Sequence, residues 1–447
     1  MPTLSVAFVH PDLGIGGAER LVVDAALGLK QRGHSVVFFT SHHDPNHCFQ
    51  ETRDGTFPVH VRGDFFPRHI AGRFHVIFAI LRSLYLALWL WLAGPAYDVI
   101  VADQVSASVP ILKWTRAKVL FYCHFPDKLL ARRDSSLASL YRRPVDWLEE
   151  VTTGTADALA VNSAFTESIF REHFPSLRAR PLEIVYPGIT LEAYDGDVDK
   201  TDPGVAVLQS DKSLIVSLNR FERKKNVGLA IRAFHHLKSL VAPEVFDNLR
   251  LVVAGGYDPR VSENVQHHLE LTSLATSLGL SHHTLFPNTT TPIPPTTQVL
   301  FLLSFTQPQR TTLLRRTLCL LYTPQGEHFG IVPVEAMYSR VPVVACDSGG
   351  PRESVADGVT GFLCGEDPAE WAAKVAGIVA MGERGRREMG DRARQRVVDK
   401  FSAGAMADKL DGIVQGLAKG GKRGKSWVPL LGFVAAVVAL VGAVWAL

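Results

Sequence analysis

Cysteine is scarce in this sequence, with five residues among 447. The five are dispersed and form no C-x-x-C pair: Cys48, Cys123, Cys319, Cys346 and Cys364. An odd, scattered set argues against a disulfide-stapled secreted protein and against a zinc site. The spacing therefore predicts free thiols and a reducing compartment.

A large net charge and a secretory signal are also missing. The formal net charge is only +3, and no run of Lys or Arg lies inside the predicted folded region. Nucleic acid is therefore not an expected partner. The N-terminal stretch MPTLSVAFVHPD has no basic region before its short apolar run, unlike a signal peptide.

Long apolar runs are limited to two, and the first of these is the C-terminus. Residues 427–447 carry no charge and are long enough to cross a bilayer as one helix. A Gly-rich basic linker at residues 419–426 precedes them, and positive charge beside a spanning helix marks the cytoplasmic side. We expect a transmembrane tail anchor with the rest of the chain in the cytosol. A buried Gly/Ala-rich helix is the alternative.

The second apolar run, residues 74–94, is interrupted by Arg82. A full span would place this arginine at the bilayer midplane, which is costly. Two alternatives stay open. One is a membrane-apposed helix, for which Trp89 and Trp91 suit the interface, and the other is a core helix.

Strand and helix patterns alternate twice along the chain. TLSVAFVH and HSVVFFT read as buried strands around the helix AERLVVDAALGLKQRG, a βαβ unit that implies a parallel sheet. The pattern restarts at SLIVSL after an acidic, polar stretch. We predict an α/β fold with Rossmann-like domains at residues 1–188 and 205–418, joined by a solvated linker at 189–204. Such sheets bind ligands at the carboxyl ends of their strands, so we expect a site in a cleft between the domains.

Glycines and one histidine mark candidate sites in the first half. GIGGAER places Gly16 and Gly17 between a strand and a helix, where backbone N–H groups and the helix dipole suit phosphate. A tight turn that needs glycine is the alternative. The pattern is not G-x-G-x-x-G, so a dinucleotide-dependent oxidoreductase is not supported. His124 ends a predicted strand in FYCHFPD and either faces the same edge or is bonded locally.

Charged residues mark candidate sites in the second half. In NRFERKKN, Arg220 and Lys225 follow the first strand of that half. An Arg fork and a Lys charge suit a diphosphate and its stabilisation as a leaving group, although a solvated basic turn is the alternative. In GEHFGIVPVEAM, Pro333 is predicted in the first turn of a helix, with Glu327 before that helix and Glu335 inside it. Two glutamates eight residues apart are common by chance, so the spacing alone assigns no role.

Together these stretches resemble the retaining glycosyltransferases of the GT-B fold over most of residues 1–400. In that family the second domain holds a nucleotide-diphosphate sugar and carries an E-x7-E motif, which Glu327 and Glu335 match. The resemblance implies that Glu327 reads sugar hydroxyls near the reacting carbon and that Glu335 contacts the ribose. It also implies that Arg220 and Lys225 contact the diphosphate.

The same resemblance assigns further contacts. Gly16 and Gly17 match the glycine loop of the family's first domain, and His124 matches a histidine near the transferred sugar. The remaining residues expected to bind substrate lie between the two glutamates or in the later turn SGGP: Phe329, Gly330, Ile331 and Gly350. No cofactor and no metal are expected. The Pro/Thr-rich segment at residues 288–297 departs from the family pattern and reads as a local insertion in a surface loop.

YCHFPDKLL, RFERKKN and LLYTPQGEHFGIVPVEAM most resemble the eukaryotic α-1,3/1,6-mannosyltransferases of dolichol-linked oligosaccharide assembly. This implies transfer of mannose from GDP-mannose to the dolichol-diphosphate-linked Man1GlcNAc2 intermediate, on the cytosolic face of the endoplasmic reticulum membrane. Other enzymes of that assembly are further candidate partners. Two alternatives remain: a membrane-anchored retaining GT-B transferase with another donor, and an inactive tail-anchored scaffold. The joint presence of Glu327, Arg220 and Lys225 favours an active enzyme.

Overall fold

The computed structural model describes residues 2–70, 72, 74–131 and 136–421. These residues form two compact units. Unit 1 contains the described residues up to 188 together with those from 403 onward, and unit 2 contains residues 189–402.

Unit 1 is built on a parallel seven-stranded sheet in the order β3-β2-β1-β4-β5-β6-β7. The strands are β1 (Ser5–Asp12), β2 (Ser35–His42), β3 (Val59–Val61), β4 (Val99–Asp103), β5 (Lys118–Cys123), β6 (Ala158–Val161) and β7 (Glu183–Ile184). The helices of the same stretch are α1 (Gly17–Gln31), α2 (His75–Leu92), α3 (Val109–Leu112), α4 (Asp127–Leu130), α5 (Ser136–Thr153) and α6 (Ala164–His173).

The first βαβ unit confirms the prediction from the apolar pattern. Helix α1 buries Val22, Ala26 and Leu29, and β1 pairs in parallel with β2. Gly33 follows α1 with a φ of 88°, the left-handed conformation that glycine adopts at low cost at a helix C-terminus. The helix therefore ends where the sequence predicts.

Helix α2 accommodates its central arginine by burial. The guanidinium of Arg82 donates from Nε to the carbonyl oxygen of Phe66 at 2.9 Å, and Leu86 and Leu90 of the same helix pack in the core of unit 1. Among the described residues, α2 is the helix long and apolar enough to cross a membrane, by length and composition only. Its buried face packs as a core helix does, and contact of its exposed face with a membrane stays a prediction.

Unit 2 repeats the architecture with the strand order β10-β11-β9-β8-β12-β13-β14, again all parallel. The strands are β8 (Ser213–Leu218), β9 (Leu249–Gly255), β10 (His282–Leu285), β11 (Val299–Leu303), β12 (Thr317–Tyr322), β13 (Val343–Cys346) and β14 (Gly361–Cys364). The helices are α7 (Glu192–Asp195), α8 (Pro203–Ala206), α9 (Gly228–Leu237), α10 (Pro243–Asp247), α11 (Ser262–Ser277), α12 (Gln307–Arg316), α13 (Ile331–Tyr338), α14 (Pro351–Ser354), α15 (Pro368–Ala380) and α16 (Gly382–Lys400).

The last described helix, α17 (Ala403–Lys419), belongs to unit 1, so the predicted end of the second domain at residue 418 lies too far along the chain. Met406 and Leu410 of α17 pack in the same core as α1. The two helices approach closely because α1 has a glycine at the contact: a Cβ at Gly28 would lie 2.3 Å from the Cβ of Ala407. The predicted tail anchor at residues 427–447 lies outside the described residues.

The segment at residues 189–204 was expected to be a solvated linker, but it is part of unit 2 and contributes buried residues to it. Ile189 and Tyr194 are buried, and helices α7 and α8 interrupt the segment. Asp195 in the same segment accepts hydrogen bonds from Tyr338 and Arg394. The acidic composition alone predicted exposure to solvent. The contacts could not be predicted locally, because the partners lie far along the chain.

Candidate functional site

The loop before α13 is shaped by close backbone contact with the loop after β13. The N–H of Gly350 donates to the carbonyl oxygen of Glu327 at 2.8 Å. A Cβ at Gly349 would lie 2.4 Å from that oxygen, and a Cβ at Gly350 would lie 2.1 Å from the carbonyl oxygen of Phe329. Glycine is therefore needed where the loops meet. The Gly350 N–H is thus bonded to the neighbouring loop through Glu327, and contact of Gly350 with a substrate stays a prediction.

Three residues between the glutamates differ in how accessible they are. Gly330 is the residue before α13 and has a φ of 80°. Ile331, the first residue of the helix, is 36% exposed, whereas the ring of Phe329 is buried against Phe401. A ligand at this helix end would therefore meet Phe329 through its backbone. Pro333 lies in the first turn of α13, as predicted.

Lys225 and Glu327 are brought together at the carboxyl edge of the sheet. The Nζ of Lys225 lies 2.5 Å from Oε1 of Glu327, and the lysine side chain is 12% exposed. The backbone of Lys225 is fixed by Thr323, whose hydroxyl donates to the Lys225 carbonyl oxygen at 2.8 Å. A cation and a carboxylate thus stand side by side next to the N-terminus of α13.

Arg220 does not join this pair. Its side chain is 63% exposed and its Nη1 lies 2.9 Å from Oε1 of Glu222. The sequence predicted that Arg220 and Lys225 contact the same diphosphate. In the structure each side chain contacts a different glutamate. A role for Arg220 on a diphosphate stays a prediction.

Glu335 is buried inside α13 and has two partners outside that helix. Its Oε1 accepts hydrogen bonds from the Tyr194 hydroxyl and from Nη1 of Arg310, both at 2.7 Å. Burial raises the pKa of the Glu335 carboxyl, although Arg310 and the hydrogen bond from Tyr194 oppose the shift. Arg310 neutralises a charge that would otherwise be costly to bury.

In unit 1, two histidines converge on one buried carboxylate. Asp103 ends β4, and its Oδ1 lies 2.9 Å from Nδ1 of His10 in β1. Its Oδ2 lies 2.7 Å from Nε2 of His124, which directly follows β5. Since a carboxylate accepts, both ring nitrogens donate, and His124 has its Nδ1 left as the acceptor. His124 therefore lies at the strand edge where the sequence predicts, held in one tautomer.

Within this cluster, the charged forms of His10 and Asp103 stabilise each other. Burial disfavours charge on His10, yet the Asp103 carboxylate outweighs it and raises the pKa of His10. Burial acts the opposite way on the acid, and the histidines overcome it and lower the pKa of Asp103. An ion pair between His10 and Asp103 is thus built into the core edge of unit 1.

The glycine turn before α1 lies against the carboxylate of Glu19. Gly16 precedes α1 in an extended conformation, and a Cβ on it would lie 2.2 Å from Oε2 of Glu19. Oε1 of Glu19 lies 3.5 Å from Nε2 of His10. A carboxylate thus stands at the helix end proposed for phosphate and disfavours a second anion there. Contact of Gly16 and Gly17 with a substrate stays a prediction.

Several functional candidates escaped the sequence reasoning. They are polar residues with buried partners, most of which are distant in sequence: His10, Glu19, Asp103, Tyr194 and Arg310. A usable signal existed for two of them, because His10 and Asp103 are polar residues at the ends of strongly apolar strands. Tyr194 and Arg310 carry no comparable local signal.

The His10–Asp103 pair predicts a pH dependence of stability. The folded pKa of His10 is raised above its usual 6.5, so its stabilising contribution is full below pH 6.5 and is lost as pH rises through the folded pKa. Asp103 has a folded pKa below its usual 3.8, so its contribution is lost only below that pH. We expect the melting-temperature difference between wild type and His10→Gln to be larger at pH 6 than at pH 9. An equal difference at both pH values would contradict the ion pair.

Two family models match the chain. Glycosyltransferase Family 4 matches residues 15–193, and Glycosyl transferases group 1 matches residues 199–293 and 294–396. The two segments of the second match meet inside the Pro/Thr-rich loop at residues 288–297, where the sequence predicts an insertion.

Similar proteins cover nearly the whole chain. The α-1,3/1,6-mannosyltransferase ALG2 of Rhizomucor pusillus is 54% identical, over 92% of this chain and 91% of its own length. The human protein of the same name is 45% identical, over 92% of this chain and 95% of its own.

Solved structures share the fold at low identity. Sucrose-phosphate synthase from Thermosynechococcus elongatus superposes with a TM-score of 0.70 at 18% identity, covering 93% of this chain and all of that one. The Anabaena protein HepE, solved with UDP, gives a TM-score of 0.66 at 17% identity, covering 92% of this chain and all of that one. The two Rossmann-like units are those typical of GT-B glycosyltransferases.

Proposed function

This chain belongs to the α-1,3/1,6-mannosyltransferase family of GT-B glycosyltransferases, and from that premise we propose that it uses GDP-mannose and a dolichol-diphosphate-linked acceptor. It is a glycosyltransferase, and its relatives favour α-1,3/1,6-mannosyl transfer over a different donor or an inactive scaffold. The proposed acceptor is the Man1GlcNAc2 intermediate, to which α-1,3- and α-1,6-linked mannose would be added.

The contact between Lys225 and Glu327 is the observation that carries the proposed chemistry. In the transfer, the bond between the mannose carbon and the diphosphate breaks while a bond to an acceptor hydroxyl forms. Negative charge grows on the departing diphosphate, which a lysine ammonium and helix N–H groups stabilise. Glu327 lies next to that lysine. It is suited to accept hydrogen bonds from the sugar hydroxyls while the sugar passes through an oxocarbenium-like transition state.

The proposal assigns the remaining steps to the departing phosphate and to further side chains of the two units. The proton of the acceptor hydroxyl would leave with the departing phosphate, and Glu335 would bind the ribose. In unit 1, His124 would present its Nδ1 to the transferred sugar, since Asp103 fixes its other nitrogen. No metal is expected in this proposal, because Lys225 and the helix N-terminus, together with Arg220 if it reaches the diphosphate as predicted, would supply the positive charge.

We also propose where the reaction takes place. A dolichol-linked acceptor is confined to a membrane, and the uncharged run at residues 427–447 is long enough to hold the enzyme there. The basic residues before it favour a cytosolic position for both units. The proposed location is the cytosolic face of the endoplasmic reticulum membrane.

The test is a transfer assay with defined substrates in sealed microsomes that bear the protein. We expect mannose transfer from GDP-mannose, which does not cross the membrane, to dolichol-diphosphate-linked Man1GlcNAc2, at the same rate with and without EDTA. The control is a microsome preparation that carries the Lys225→Ala variant.

Each departure contradicts one part of the proposal. Activity with a UDP-sugar and none with GDP-mannose would contradict the donor. Activity that appears only after the vesicles are opened would contradict the cytosolic face, and loss of activity in EDTA would contradict metal independence.

A further inference from the structure

Glu335 is held from outside its own helix by two side chains of unit 2. Tyr194 lies in α7, and Arg310 lies in α12. Both donate to the same carboxylate oxygen, Oε1, at 2.7 Å. In the described part of the chain, no recorded hydrogen bond reaches the second oxygen, Oε2. One oxygen is therefore anchored, and the other keeps its capacity to accept a hydrogen bond.

Tyr194 and Arg310 also support each other. Nη2 of Arg310 lies 3.2 Å from the Tyr194 hydroxyl, and the guanidinium carbon lies 5.1 Å from the centre of the tyrosine ring. The three side chains form a closed triangle of contacts. Loss of one of them should therefore leave the other two less firmly positioned.

The segment that carries Tyr194 is fastened on both sides of it. Nη2 of Arg315, in α12, donates to the carbonyl oxygens of Tyr194 and Gly196 at 3.1 and 2.7 Å. Asp195 accepts from the hydroxyl of Tyr338 at 2.6 Å. Since Glu335 and Tyr338 are one turn apart on α13, two successive residues of the segment contact the same face of that helix.

We propose that Tyr194 and Arg310 are positioning residues for the donor site, which hold Glu335 through Oε1 so that Oε2 accepts a sugar hydroxyl of the bound nucleotide. The proposal rests on the proposed function, because it takes the ligand to be a nucleoside diphosphate sugar. It adds that the segment at residues 189–204, rather than α13 alone, builds the nucleotide site. A carboxylate anchored at one oxygen loses little freedom when a hydroxyl binds the other.

The charge of Glu335 makes the pH dependence of ligand binding a test of the positioning role, because a change in packing alone would not shift that pH dependence. Burial raises the pKa of this carboxyl, and the charge of Arg310 and the hydrogen bond from Tyr194 oppose the rise. Among the described residues, Tyr322 of β12 is a further titratable group that faces this carboxyl. Removing the Tyr194 hydroxyl should raise the pKa of Glu335 further. Because a protonated carboxyl has lost the anionic acceptor, GDP binding should then fail at a higher pH than in wild type.

The experiment compares Tyr194→Phe with Tyr338→Phe in the purified full-length protein, with GDP as the probe in calorimetric titrations from pH 5 to 8. Each change deletes one phenol hydroxyl from the same face of the site, but only Tyr194 contacts Glu335. We expect Tyr194→Phe to weaken GDP binding about tenfold, as expected for one hydrogen bond to a charged group, and to move the acid limit of binding upward. The loss should appear in KM for GDP-mannose more than in kcat. Tyr338→Phe leaves Nη2 of Arg394 donating to Asp195 at 2.8 Å, so the segment stays fastened and GDP affinity should stay within about twofold of wild type.

Arg310 provides the second variant. Arg310→Lys keeps a cation beside Glu335 and should bind GDP to a lower pH than Arg310→Met, which has none.

Equal affinity and an equal acid limit in wild type and Tyr194→Phe would overturn the positioning role alone. A wild-type protein that binds GDP but transfers no mannose would overturn the proposed function alone, and one that binds no nucleoside diphosphate would overturn both.

Discussion

Replacing Lys225 by alanine is expected to lower kcat for mannosyl transfer by about 10²- to 10³-fold, the loss typical of removing one group that stabilises transition-state charge. The ammonium lies 2.5 Å from Glu327 and is largely shielded from solvent, so water replaces it poorly. Its contribution should be greatest as the bond to the departing diphosphate breaks. The effect should therefore appear in kcat more than in KM, measured with GDP-mannose at saturating acceptor.

The preceding residue provides a matched control for this prediction. Lys224 carries the same charge, but its side chain is 67% exposed and its Nζ lies 3.2 Å from Glu222. Lys224→Ala should change kcat by no more than about twofold, because exposed ion pairs contribute little. Lys225→Ala with more than a tenth of the wild-type kcat, in a protein that melts like wild type, would show that the diphosphate is stabilised elsewhere.

Local patterns in the sequence predicted those parts of the molecule whose causes are local. The strands β1, β2 and β8 each contain a continuous apolar run, and Gly33 and Pro333 mark helix boundaries by their own backbone chemistry. The position of Lys225 at a strand end followed from the same reasoning. Short edge strands were missed, because β3 spans only Val59–Val61 and β10 reads HHTL, a sequence with few apolar residues.

The remaining features depend on residues distant in sequence. Tyr194 reaches Glu335 across 141 positions, and His34 of unit 1 reaches Asp411 of α17 across 377. Nothing near Tyr194 in an acidic, polar segment indicates a buried partner, and nothing in the composition of α17 shows which sheet it covers. The candidate site was therefore predicted at its strand ends and missed in the side chains that hold those ends in place.

The structure also predicts that Asp103→Ala strongly destabilises unit 1. The change removes the acceptor of two histidines. It leaves the buried His10 with the more distant carboxylate of Glu19, 3.5 Å from its Nε2, in place of Asp103 at 2.9 Å. Breaking a buried ion pair from one side typically costs about 3–5 kcal/mol. Hydrogen exchange measures this locally: amides of β1 and β4 should exchange about 10²- to 10⁴-fold faster in the variant, while those of unit 2 should be unchanged. Asp103→Asn keeps the volume and one acceptor and should lose less.

An exposed pair of the same kind in unit 1 tests whether burial is the cause. Oδ1 of Asp64 lies 2.8 Å from Nδ1 of His42, with both side chains partly in solvent. Asp64→Ala also removes a 3.3 Å contact between Asp64 Oδ1 and Nη2 of Arg82, but Arg82 keeps its bonds to the backbone carbonyls of Asp64 and Phe66. The change should therefore cost no more than about 1 kcal/mol. If Asp103→Ala cost as little as Asp64→Ala, the carboxylate would not be what fixes His10 and His124. The tautomer assigned to His124, and with it the acceptor nitrogen offered to the sugar, would then lose its physical basis.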